Sequence, residues 1–181
     1  MQIFGKTIFL RNILIKDSKF LVSLRKKKNI SKYLNNPPKN IKHQLIWIKK
    51  NIKDKTTRDF IIFNKNKEKI GTIALNNIDY EKRKAEWGRW ICLGNSLQSV
   101  ESFLLLSKFS FDHLKLKHIY SLTNYKNIKV VNFQIRSGGK YSGFIKNKYL
   151  IRGKKTHAVK YIFNKKFYLK LKKKFATIYK H

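Results

Sequence analysis

The chain has 181 residues, enough for one domain with a single sizeable core. Its 42% apolar and 14% aromatic content excludes a disordered polymer, although 43 basic residues against 9 acidic ones give a net charge of +34. Cys92 is the only cysteine, which excludes a disulfide framework or cysteine-based metal site, and no run is long enough for a membrane-spanning helix.

Thr7 to Ile15 is β-branched and apolar, a first strand, after which Asp17 is placed to cap a helix with Phe20, Leu21 and Leu24 on one face. Asn35-Asn36-Pro37-Pro38 breaks the chain, because neither proline continues a helix. Ile41, Leu45, Ile48 and Ile52 then recur with helical spacing, and His43 and Trp47 lie four apart on the neighbouring edge. Phe60 to Phe63 and Lys69 to Leu75 read as an antiparallel hairpin across the polar turn Asn64 to Glu68. A second turn, Asn76 to Lys84, leads to a strand from Ala85 to Leu93.

The next helix, about Ser99 to His113, has no charge between Ser102 and Ser107 and is expected to be buried on most sides. A strand from His118 to Thr123 and a helix from Lys126 to Ser137 follow, closed by Gly138-Gly139. Two more strands, Lys148 to Ile151 and His157 to Phe163, turn at Arg152-Gly153-Lys154. No internal repeat is visible. In the Lys-rich tail, Leu171, Phe175 and Ile178 share a helical face. That face either packs on the domain, the preferred reading, or rests weakly on an anionic surface.

The positive charge first suggests a nucleic-acid partner. Of the 43 basic residues, however, only 7 are Arg and 36 are Lys, which lacks the planar fork that reads bases and clamps phosphates. Lys, Asn and Ile are abundant together, a compositional habit, and between Lys84 and Lys108 the only basic residue is Arg89. No specific nucleic acid is therefore expected. The opening MQIFGKTIFLRNILIKD lacks the apolar core and cleavage site of a secretory leader, so a soluble cytoplasmic protein is expected. His43, His113, His118, His157 and His181 have no paired metal-ligand spacing, and there is no Ser-His-Asp or P-loop signature.

The stretch from Gly71 to Phe144 carries the chemistry. A helix that starts straight after a strand presents its unbonded N–H groups at the strand's end, a setting for anions such as phosphates. Glu86 is one of nine acids and stands in a strand otherwise of Ala, Trp, Gly, Arg, Ile, Cys and Leu. It is either a general base or the partner of a basic neighbour such as Arg89.

The element order and the phrase GTIALNNIDYEKRKAEWGRWI resemble the GNAT superfamily of N-acetyltransferases, in its ribosomal-protein and amino-sugar branch. The spacing Asn127-x-x-Val130-Val131-x-Phe133-x-x-x-x-Gly138 is similar to that family's helix motif, and SKYLNN followed by HQLIWI to its substrate side. The resemblance spans roughly residues 7 to 163. It implies an α+β fold whose mixed, mostly antiparallel sheet of six to seven strands is flanked by about four helices. Residues 1–164 would form the acetyltransferase domain and 165–181 a helical basic tail.

It further implies transfer of an acetyl group from acetyl-CoA to a primary amine, with Glu86 catalytic. The thioester oxygen and cofactor arm would meet Ile91, Cys92, Leu93, Gly94, Ser96, Leu97, Gln98, Ser99, Val100, Asn127 and Phe133. The acceptor would meet His43, Trp47, Asp79 and Tyr80. Asp79 alternatively shapes its turn, His43 and Trp47 a helix edge, and Asn127 a helix cap. The family's phosphate-loop positions fall on Gly94, Leu97 and Ser99, so two glycines are replaced, with the Ser96 and Ser99 hydroxyls nearby. Its general-acid tyrosine aligns with Gln134, which cannot protonate a thiolate. The expected acceptor is a nucleotide-linked amino sugar destined for a surface glycan, handled by a monomer or dimer. A protein N-terminus is the alternative acceptor, and ribosome or nucleic-acid binding on a degenerate scaffold is the alternative outside the enzymes.

Overall fold

The computed structural model describes residues 1–34, 40–151 and 153–178. Eight strands form one sheet: β1 (Gln2–Phe4), β2 (Ile8–Asn12), β3 (Arg58–Asn64), β4 (Lys69–Asp79), β5 (Lys84–Cys92), β6 (His118–Asn124), β7 (Lys140–Ile151) and β8 (Lys154–Asn164). Their order is β1-β2-β3-β4-β5-β6-β8-β7, and every pair is antiparallel except β5–β6. The helices are α1 (Ser18–Lys26), α2 (Lys28–Ser31), α3 (Ile41–Lys53), α4 (Ser96–Lys108), α5 (Ile128–Arg136) and α6 (Lys165–Ile178). The mostly antiparallel mixed sheet is therefore present, with eight strands rather than six to seven and more helices than the four expected.

The extra strand is held by a buried carboxylate. Glu101, on the otherwise uncharged face of α4, accepts from the backbone N–H groups of Lys6 and Thr7 and from the Thr7 hydroxyl. Gly5 makes the turn beside it, where a Cβ would run into that carboxylate. Residues 2–4 thus become a strand through a tertiary contact that local pattern does not show.

Period-two alternation lets single strands feed two cores. Phe60 and Ile62 join Leu10, Ile73, Leu75, Ala85 and Trp87 beneath Phe103, Leu106 and Phe109 of the α4 side. Ile61 and Phe63 face the other way, onto Ile13, Leu21 and Ile48 of the α1 and α3 side. In α3 the inward stripe is displaced from the apolar one: Gln44 and Ile48 are buried, while Ile41 and Ile52 are exposed. The sheet face beneath supplies polar partners, and Asn51 donates to Asp59 of β3.

Gly138, at φ +83, ends α5, and the Gly139 N–H closes the turn onto the Gln134 carbonyl at 2.8 Å. α6 lies along α4, with Tyr168 and Phe175 buried in the larger core. Tyr168 stacks on Phe111 at 5.9 Å, and Lys165 pairs with Asp112 at 3.0 Å. Among the described residues no helix is long and apolar enough to cross a membrane. The break at Asn35-Asn36-Pro37-Pro38, Arg152 of the last turn, and Tyr179 to His181 lie outside the described residues.

Asp17 is not the side-chain cap read from sequence. Its carboxylate makes no cap bond to α1; it takes Arg11 Nη2 at 2.8 and 2.9 Å, Lys69 Nζ at 2.8 Å and the Leu14 N–H at 2.8 Å. Burial pushes its pKa up, but the bonds from Lys69, Leu14 and Arg11 outweigh burial and hold the carboxyl below the usual aspartate range. Asp17→Asn is expected to cost about 2–4 kcal/mol in urea unfolding at neutral pH, because two half-buried cations, Arg11 and Lys69, lose their buried partner. A depressed folded-state pKa gives stability that is present above the unfolded value and lost as pH falls through the folded one. The gap between wild type and variant should therefore close on acidification; a gap that persists would contradict the assignment.

Candidate functional site

The site begins with one extra residue in β5. Thr72 pairs with Ile91 and Ala74 with Gly88, so two residues on β4 span three on β5. Arg89 carries the bulge at φ 49, its carbonyl held by Thr72 Oγ1 at 2.7 Å. Gly71 admits the distortion, since a Cβ there would strike the Ile91 carbonyl. The Arg89 side chain is fixed in turn: Nη1 lies 3.0 Å from both Asp59 oxygens, and the guanidinium sits 4.9 Å from the Trp47 ring.

The bulge has two consequences. It resets the alternation, so Trp87 and Trp90, three apart, both reach the α4 side, where Trp90 lies 4.4 Å from Phe133 and donates to Ser102 Oγ at 3.0 Å. It also carries β5 away from β6. The parallel pairing covers only Lys84↔His118, Ala85↔Ile119 and Glu86↔Tyr120, after which the strands separate. The Leu93 N–H is taken by the Ile70 carbonyl at 2.7 Å. By alternation the Cys92 N–H points to the opposite edge, into the gap that β6 has left.

The chain then turns at Gly94 into α4. Asn95 Oδ1 accepts from the Gln98 N–H at 2.9 Å, and Gln98 Oε1 accepts from the Asn95 N–H at 3.0 Å. A Cβ on Gly94 would displace the Gln98 amide, so this glycine serves the cap. Of the four N–H groups that a helix start leaves unbonded, those of Ser96 and Leu97 remain for a ligand. The Leu97 and Val100 side chains pack against the core, so Leu97 in place of glycine does not remove its donor. Ser99 lines the opening, and its carbonyl accepts from Ser102.

These elements open onto a cleft of about 1170 Å³. Trp90 to Gly94, Ser96, Leu97, Ser99 and Val100 form one side, and Lys126 to Val130, Asn132, Phe133, Arg136 and Ser137 another. Asn29, Ile30 and Lys32 to Leu34, with Leu171, Lys174 and Phe175 of α6, complete the described lining. Asn127 makes no side-chain cap bond to α5, so its amide is not committed to the helix. The described lining holds five cations, Lys32, Lys126, Lys129, Arg136 and Lys174, and no carboxylate. Gln134 is fully buried, accepting from Ser121 Oγ at 2.9 Å and donating to Thr123 Oγ1 at 2.6 Å, and so ties α5 to β6.

Glu86 is set at the last paired rung before the strands part, and it does not line the cleft. Its partner is Asn77 Nδ2 at 3.2 Å, not Arg89, which Asp59 holds. Burial raises the Glu86 pKa above the ordinary glutamate value, moderated by the Asn77 bond and by Lys148, Arg89 and Lys160. Tyr120 and Tyr149 feel the same carboxylate, and their phenols are pushed up chiefly by burial. Gly88, two residues on, leaves space beside Glu86: a Cβ there would meet only Asn76 Nδ2, at 3.9 Å.

The four acceptor-side residues read from sequence are dispersed. Trp47 lies against Arg89, whereas His43 is exposed at the start of α3. Asp79 accepts from the Lys82 N–H at 2.8 Å inside the β4–β5 turn, and the Tyr80 hydroxyl donates to the Lys55 carbonyl at 3.0 Å. The sequence reading did not single out Lys32, Tyr33, Lys129, Arg136 or Lys174. In a chain with 36 lysines, no composition signal distinguishes these few.

The model of the acetyltransferase (GNAT) domain family matches residues 7–140. Among solved structures, the chain is similar to spermidine N-acetyltransferase from Vibrio cholerae in complex with CoA and spermine. The TM-score is 0.82 at 23% identity, over 91% of this chain and 99% of that one. FdhC, a nucleotide-linked sugar GNAT solved in its apo form, gives a TM-score of 0.80 at 25% identity over 97% of both chains. A GCN5-related N-acetyltransferase from Brucella melitensis gives 0.84 at 16% identity, over 98% of this chain and 84% of that one. No curated protein matches the sequence.

Gln134→Leu should cost about 1–3 kcal/mol in chemical denaturation, since it strands the buried Ser121 hydroxyl and the half-buried Thr123 hydroxyl on β6. A neutral substitution would mean that α5 is not fastened there.

Proposed function

The chain belongs to the GNAT family of acetyltransferases, an N-acetyltransferase with acetyl-CoA as co-substrate, and from that premise we propose that its acceptor is the primary amine of a nucleotide-linked amino sugar. The observation that carries this reading is the setting of Glu86, a lone base within the field of Lys148, Lys160 and Arg89, on a protein of net charge +34. That field draws in an acceptor carrying a pyrophosphate and repels a polycation. A polyamine acceptor calls for several carboxylates, whereas here only Asp79 joins Glu86 in acting on Tyr120 among the described residues. The 25% identity to the nucleotide-linked sugar GNAT over 97% of both chains supports the same choice.

The cleft suits acetyl-CoA by its own chemistry. Two unbonded N–H groups at the start of α4, with five cations and no carboxylate in the described lining, match a phosphate-bearing ligand, and Trp90, Phe133 and Val100 match its apolar arm. When bound, acetyl-CoA supplies the activated acetyl group. The Ser96 and Leu97 N–H groups and the flanking lysines hold phosphate, while the Asn127 amide and the open edge of β5 align the arm. The Cys92 N–H donates to the thioester oxygen as charge collects there, worth roughly 3–4 kcal/mol for a well-placed donor.

On the other side of the gap, Glu86 takes a proton from the acceptor ammonium, directly or through one water, and frees its lone pair for the carbonyl carbon. As the N–C bond forms and the C–S bond breaks, the nitrogen sheds its second proton to solvent and the sulfur leaves as thiolate. Gln134 has no acidic proton to return, and Tyr33 is the one phenol in the described lining that can supply it.

Thiol release from acetyl-CoA, measured against nucleotide-linked amino sugars, spermidine and N-terminal peptides, tests the reading. The sugars should turn over fastest; spermidine in first place would overturn it. Glu86→Gln should lower kcat by about 10²–10⁴-fold with acetyl-CoA affinity unchanged. A base must be ionised to act, so kcat/KM should fall on acidification through the raised Glu86 pKa, above the ordinary glutamate range. A profile flat through that range, or a Glu86→Gln enzyme of full activity, would remove Glu86 from the role.

A further inference from the structure

We infer that α6 is part of the cofactor site, with Lys174 binding the 3′-phosphate of CoA; this rests on the acetyl-CoA reading above. α6 lies beyond the residues that the family model matches, which end at 140. Nevertheless Leu171, Lys174 and Phe175 line the same cleft as the start of α4.

The geometry fixes where Lys174 falls. Lys165 pairs with Asp112, just past the C-terminal end of α4, and Tyr168 stacks on Phe111. α6 therefore runs back along α4 toward the cleft, and nine residues after Lys165, about 14 Å at 1.5 Å each, Lys174 arrives. Phe175 is buried in the core, which locks the helix rotation that puts its neighbour Lys174 on the cleft. Arg136 of α5 lines the same space, and α5 and α6 meet where Phe167 closes over Gly138.

The charge pattern identifies the ligand. Five like charges around one cleft with no described carboxylate repel one another in the free protein, and a dense anion relieves that. The pyrophosphate has the N–H groups of Ser96 and Leu97. Counting back nine residues from Asp112 sets Lys174 level with about residue 103 of α4, roughly two turns or about 10 Å from those groups, which places it for a second phosphate. In CoA that is the 3′-phosphate.

Calorimetric titration of the full chain with CoA and with 3′-dephospho-CoA provides the test. Wild type should bind CoA more tightly. Lys174→Ala should weaken CoA roughly five- to tenfold and leave 3′-dephospho-CoA nearly unchanged. Lys173→Ala removes the same charge from an exposed position outside the cleft lining and should alter neither affinity. Equal losses for both ligands in Lys174→Ala, or equal effects of the two substitutions, would overturn the inference while leaving the acetyl-CoA site standing. If wild type binds neither ligand, both readings fail together. Point substitution is the proper variant, because truncating α6 would empty the core positions of Tyr168 and Phe175.

Discussion

The arrangement of this molecule depends on an inserted residue. Arg89 stands in β5 where β4 offers no partner, and everything functional follows from how the sheet absorbs it. A bulged residue at positive φ is strained unless its surroundings fix it. Here Thr72 holds the carbonyl, Asp59 and Trp47 hold the guanidinium, and Gly71 yields the space. The reward is a strand that leaves its neighbour partway along. One side of the opening meets the start of α4, and the other meets Glu86.

The large positive charge divides into parts with different meanings. Most of the lysines are solvated and follow composition. A few converge: four, with Arg136, on the cleft, and two more, Lys148 and Lys160, around Glu86. The acids, by contrast, are mainly structural: Asp17 anchors the end of β2, Asp59 the bulge and Glu101 the first hairpin. Glu86 accepts from the Asn77 amide rather than from a cation, which suits the proton transfer proposed for it.

Much of the fold was legible because period and punctuation are local. The strand at Ala85, the uncharged helix after it and the Gly138 stop all follow from short-range pattern. The bulge was not legible, because an Arg at positive φ leaves no glycine to mark it. Nor was the role of Gln134, whose alignment with an acid says nothing of the two hydroxyls that hold it. Leu97 stands where the family has a glycine, yet its side chain packs against the core and its N–H stays available. The α6 wall depends on antiparallel packing against α4, which no local signal in the tail predicts.

The central claim is that the open edge of β5 and the start of α4 together receive acetyl-CoA. Amide hydrogen exchange with and without acetyl-CoA tests it most directly. Cys92, Ser96 and Leu97 should exchange more slowly on binding, while Leu93, already bonded to Ile70, should change little. Binding that leaves those three amides unchanged would contradict the account.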